Sequence, residues 1–114
     1  MTGAERIDEL RGSIDGLDRQ IVAMLAERTR VVRELTVHKR DEETVRSPGR
    51  VEQVIAKVRR LADESGMPPG IAEATYRTLI AELTELQLDL LAERRAAAAE
   101  GALRPAATVP EGAA

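Results

Sequence analysis

The chain has 114 residues and a formal net charge of −3, with 43% hydrophobic and 32% charged residues. That balance fits one soluble globular domain rather than a disordered segment, and its acidity argues against a nucleic-acid binder, which needs a basic surface for phosphates. One Tyr with no Phe or Trp leaves the core to Leu, Ile, Val, Ala and Met, while the absence of Cys and a single His exclude disulfides, thiol chemistry and a Cys/His zinc site.

Thr2 and Glu5 stand at capping-box spacing. A helix is predicted from about Glu5 to Arg40, because Ile7, Leu10, Ile14, Leu17, Ile21, Met24, Val31 and Leu35 recur in steps of three and four. The remainder of the chain is too short to cover so long a stripe, so a second subunit is expected to cover part of it. Asp41 to Gly49 is polar, contains Ser47-Pro48-Gly49 and is predicted to be a loop. A second helix is predicted over about Arg50 to Ser65, with Val51, Val54, Ile55, Val58 and Leu61 on one face. Gly66 suits its C′ position, with Pro68 and Pro69 just beyond. A third helix is predicted from about Gly70 to Ala99, with Ile71, Thr75, Tyr76, Leu79, Ile80, Leu83, Leu86, Leu90 and Leu91 as its stripe. Residues 101–114 are rich in Ala, Pro, Gly and Thr without periodicity, and are expected to be a disordered tail after a helical domain over residues 1–100. The fold class is all-α: long helix, loop, short helix, long helix. With no signal peptide and no apolar run long enough for a bilayer, the expected location is the cytoplasm.

Several polar residues stand where these stripes call for apolar ones. Steps of four from Met24 reach Arg28, and Lys39 follows eleven residues later, about three turns on if the helix continues. Gln87 falls between Leu83 and Leu90. Each has an ordinary explanation by itself. Arg28 can lay its stem along the stripe edge, Lys39 can suit a helix C-terminus, and Gln87 can bridge helices through its amide. Arg11 can pair with Asp8 or Asp15 on the surface. Arg50 opposes the dipole at the start of its helix and points to a positioned anion. Together, two cations and an amide facing one interior are costly unless an anion completes the set, and arginine suits a two-pronged grip on a carboxylate. No nucleophile accompanies them, and His38 is the one candidate general base.

The run Leu10-Arg11, Ile14, Leu17-Asp18 and Leu25-Ala26-Glu27-Arg28, followed by Lys39, Arg50 and Gln87, resembles the all-α chorismate mutase family over about residues 5 to 95, with one residue fewer in the loop. The resemblance implies an intertwined homodimer of three-helix subunits, each site taking Arg11 from the other subunit. It implies that Arg11 and Arg28 bind substrate carboxylates, that Lys39 holds a carboxylate and the ether oxygen, that Gln87 donates to that ether oxygen, and that Arg50 shapes the anion site. The implied substrate is a small chorismate-type dianion. The implied reaction is a cofactor-free Claisen rearrangement to prephenate, with no metal, nucleic acid or membrane involved.

Three positions depart from the family pattern. Ser47 replaces an Asp, Val51 a Glu that accepts from the ring hydroxyl, and Leu83 a Ser that touches a carboxylate. Isochorismate-pyruvate lyases of this fold also have an apolar residue after the Arg. The Pro48 to Val51 run resembles 4-amino-4-deoxychorismate mutases, whose residue at the Gln87 position differs. A separate reading is a non-catalytic helical dimer that binds a partner enzyme or serves as a scaffold. A DNA-binding role is disfavoured by the acidic balance and by helices without a basic face.

Overall fold

A reciprocal capping box opens the chain. Glu5 N–H donates to Thr2 Oγ1 and Thr2 N–H to Glu5 Oε2, both at 3.1 Å. In the computed structural model, which describes residues 2–103, α1 follows from Gly3 to Thr36. After it come α2 (Glu42–Arg46), α3 (Pro48–Glu64) and α4 (Pro69–Leu103), with no strand among the described residues. The all-α class and three principal helices agree with the sequence reading. Of the described residues, those up to Glu34 form one compact unit, and those from Leu35 to Leu103 form a second.

In the first unit the predicted stripe is present but keeps about half its surface in solvent, from 45% exposed at Leu10 to 69% at Met24. The polar side of α1 carries local ion pairs, with Arg30 held between Glu27 and Glu34 at 2.6 and 3.4 Å. The helix ends four residues before the expected Arg40. His38 N–H bonds to Leu35 O and Lys39 N–H to Thr36 O, both at 3.0 Å, and these tighter bonds wind the helix into a turn.

The second unit is built on the α3–α4 pair. Val54, Val58, Ala62 and Ala72 form the buried cluster, with Tyr76 and Ile80 against it. The α3 face differs from expectation at its ends, where Val51 is half-buried, Leu61 exposed and Ala62 buried. On α4 the inward row is Ala72, Leu83, Gln87 and Leu91, while Ile71 and Thr75 face solvent. Met67 N–H closes on Ala62 O at 2.8 Å beside Gly66, whose φ of 76° fits the expected C′ role. Outside the core, Arg77 grips Glu52 with both terminal nitrogens and Glu73 with Nε, and Arg59 also reaches Glu73. The Arg77 and Arg59 guanidiniums hold the Glu73 carboxyl below the usual glutamate range. This link therefore adds stability above that range and loses it as pH falls through the lowered value.

The expected loop Asp41–Gly49 contains a helix instead. Asp41 accepts from Thr44 N–H at 2.7 Å and caps α2, whose Val45 is buried at 3% exposure as α2 packs on α4. Asp41 with acidic Glu42 and Glu43 in the first turn is a helix-start signal that the polar composition hid. Ser47 then turns the chain in the left-handed region (φ 36°, ψ 64°), and α3 begins at Pro48 rather than Arg50. Gly101 to Leu103 continue α4 where a disordered tail was expected, and the rest of that tail lies outside the described residues.

Leu91, 2% exposed, is among the most completely buried side chains. Leu91→Ala is expected to lower unfolding free energy by about 2–5 kcal/mol through lost burial and the cavity left behind, read as a lower urea midpoint.

Candidate functional site

The turn after α1 meets α4 inside the second unit. Thr36, the last residue of α1, is 1% exposed, and Gln87 on α4 is 7% exposed. Gln87 Oε1 accepts from Thr36 Oγ1 at 3.2 Å and from Lys39 Nζ at 2.8 Å. The chemistry forces this amide orientation. An ammonium has only donors, so the amide atom facing it is oxygen, and the NH2 edge turns elsewhere as a donor. A half-buried cation and a neutral donor are thereby set side by side.

Burial holds the Lys39 ammonium below the usual lysine range, because desolvation penalises its charged form. Between that lowered value and the ordinary unfolded one, the unfolded chain binds more protons. The contribution of Lys39 to stability in the free protein therefore rises with pH in that alkaline window. An anion placed against the ammonium would act in the opposite direction and raise its pKa.

The backbone that carries Lys39 is held from α4. Arg94 Nη1 donates to Thr36 O and Val37 O, each at 3.0 Å, and its Nη2 donates to Lys39 O. Arg95 Nη2 donates to Arg40 O at 2.9 Å, and its Nη1 lies 3.9 Å from Glu42. The sequence reading singled out neither Thr36 nor Arg94. Their signal is faint: a hydroxyl at a helix end, and a basic pair on a surface that already has many charges.

The structure thus brings Lys39 and Gln87 together, although Lys39 does so from a turn and not, as expected, from a third further turn of α1. Leu83 is buried one helical turn before Gln87. Ser47 and Val51 are half-buried and joined by Val51 N–H to Ser47 O at 3.1 Å, while Arg50 lies exposed in the first turn of α3. His38 is exposed in the turn. Arg11 and Arg28 both belong to α1 in the first unit, Arg11 exposed and Arg28 half-buried. Seventeen residues of helix separate them, about 25 Å along the axis and roughly 100° around it, so one chain does not offer both to one small ligand.

The pairing sets a half-buried ammonium against a buried amide that accepts from it. Among the described residues no helix is long and apolar enough to cross a membrane. Compared with known families, residues 10–88, more than half of the chain, match the model for chorismate mutase type II. No curated protein matches the chain.

Thr36→Val removes one of the two donors to Gln87 Oε1 while keeping the shape of the side chain. It is expected to cost about 1 kcal/mol of stability in urea unfolding.

Proposed function

The chain belongs to the chorismate mutase type II family, and from that premise we propose that it rearranges chorismate to prephenate by charge clamping and ether-oxygen stabilisation. The observation that carries this reading is the pairing of Lys39 with Gln87, a half-buried cation and a buried amide 2.8 Å apart.

The rearrangement breaks the C–O ether bond and forms a C–C bond within one molecule, so it needs no covalent intermediate and no cofactor. Its demands are that the enolpyruvyl arm be folded over the ring and that negative charge developing on the ether oxygen be met by donors. Lys39 supplies an ammonium to that oxygen and to a carboxylate, and the NH2 edge of Gln87 supplies a second donor. Arg28 and Arg11 grip the carboxylates, with Arg50 adding positive charge. The donors are fixed before the substrate arrives, so little reorganisation is required as charge moves.

Arg11 comes from a second copy of the chain in this reading. The wide separation of Arg11 from Arg28 along α1 supports a homodimer, as does the half-exposed stripe from Ile7 to Met24, which a second α1 would cover. Residues 1–100 then act as one catalytic domain, working in the cytoplasm.

In this reading Val51, with Ser47 before it, stands where the ring substituent is read, and Leu83 stands where a Ser would touch a carboxylate. Apolar Val51 cannot accept from a ring hydroxyl, which favours a second reading in the same chemistry: isochorismate-pyruvate lyase or 4-amino-4-deoxychorismate mutase.

Purified protein incubated separately with chorismate, isochorismate and 4-amino-4-deoxychorismate, with products followed by mass, tests both readings. Prephenate from chorismate is expected. Salicylate and pyruvate from isochorismate, or a product from the amino substrate alone, would select the second reading, and no turnover of any would refute this class of catalysis. Lys39→Ala is expected to reduce kcat about 10²–10³-fold, the scale of a lost oxyanion donor, whereas a non-catalytic dimer would show a change in stability alone. Because the cationic form is required and burial lowers its pKa, kcat/KM should fall on the alkaline side at a pH below the ordinary lysine range.

A further inference from the structure

The geometry points to Arg94 as a positioning residue, whose guanidinium clasps the turn that carries Lys39 and so fixes where the ammonium stands relative to Gln87. This inference rests on the reading that Lys39 acts on the substrate.

Lys39 lies beyond the end of α1, where its N–H still closes a tight turn on Thr36 O at 3.0 Å but its own carbonyl has no partner within the helix. Carbonyls at a helix C-terminus need donors beyond the helical ones, and Thr36 O, which accepts from Lys39 N–H at 3.0 Å, has a second lone pair for another. Arg94 supplies them. Its Nη1 binds Thr36 O and Val37 O at 3.0 Å each, and its Nη2 binds Lys39 O. A guanidinium is a planar, permanently charged fork, so these three carbonyls are held in fixed relation to one another. The cation also lies where a helix terminus carries partial negative charge, and charge-assisted bonds of this kind are stronger than neutral ones.

Spacing along α4 adds a second element. Arg94 follows Gln87 by seven residues, close to two full turns, so both emerge from one face of the same helix. One rigid element therefore holds Lys39 at both ends: its carbonyl through Arg94 and its ammonium through Gln87. Thr36 ties the two together, with its carbonyl on Arg94 and its hydroxyl on Gln87. Arg95 holds only the next carbonyl, that of Arg40, and pairs at 3.9 Å with Glu42. It provides a control with similar chemistry one residue away.

The test compares Arg94→Gln, Arg94→Lys and Arg95→Gln in the full chain. Amide hydrogen exchange by NMR reads the clasp without substrate. In Arg94→Gln the amides of His38 and Lys39 are expected to exchange at least about tenfold faster, while the Met67 amide in the α3–α4 turn keeps its rate. Unchanged rates at His38 and Lys39, or equal acceleration everywhere, overturn the clasp. With substrate, Arg94→Gln is expected to lower kcat about 10–100-fold in the wild-type background and less than about twofold in the Lys39→Ala background. Equal losses in both backgrounds overturn action through Lys39. Arg94→Lys keeps the charge without the fork and is expected to resemble Arg94→Gln, whereas wild-type kcat in that variant overturns the clasp. Arg95→Gln is expected to keep kcat, and a loss equal to that of Arg94→Gln overturns the special role of Arg94. Absence of turnover in the wild type would refute the proposed reaction, and the exchange rates would still decide the clasp.

Discussion

One acceptor atom organises the second unit. Gln87 Oε1 takes two donors, from buried Thr36 and half-buried Lys39. Burying an amide requires that its hydrogen bonds be made, and bringing a lysine beside it requires that its charge be tolerated. Both conditions constrain the chain at residues far apart in sequence. The end of α1 must stop at Thr36, the turn must return Lys39 inward, and α4 must present residue 87 at that height. A hydrocarbon side chain at 87 would relax all of these constraints together.

The frame that meets them is mostly ordinary. Val54, Val58, Ala62 and Ala72 join α3 to α4 through hydrophobic burial, and Gly66 closes the turn between them in a conformation that most residues avoid. The Glu52–Arg77–Glu73–Arg59 chain adds a surface link that salt weakens. Short α2 rests Val45 against α4, and so fixes the path from the Lys39 turn to Ser47. Specific chemistry is therefore concentrated in a few polar groups on a generic apolar scaffold.

That division explains what could be read in advance. Helix faces follow from periodicity, so α1, α3 and α4 were legible to within a few residues. Gln87 was legible for the same reason, as a polar residue in an apolar row. Lys39 was flagged, but its placement on α1 was wrong, because the helix gives way after Thr36 to a turn whose carbonyls bond Arg94, 55–58 residues away. Such side-chain-to-backbone contacts leave no period in the sequence. α2 was missed because five residues give too short a window for periodicity, and its signal is only the capping Asp41, which accepts from Thr44 N–H, with two acidic residues after it. On α3, Ala62 and not Leu61 joins the core, a choice that hydrophobicity alone does not reveal.

The charge state of this site bears on how it could work. A cation kept partly out of water is unstable relative to its solvated state, and desolvation lowers the Lys39 pKa accordingly. Its neighbour Gln87 is neutral and offers only a carbonyl dipole, so the positive charge is oriented but not cancelled. A carboxylate at position 87 would cancel it and leave little field for an incoming anion. An amide holds the ammonium in place while preserving its charge for the ligand. In the proposed rearrangement, charge grows on one oxygen for an instant and then disperses. A donor already aimed and already partly desolvated stabilises that instant while shedding less water. The same burial that makes Lys39 costly in the free protein is then what strengthens its interaction with the transition state.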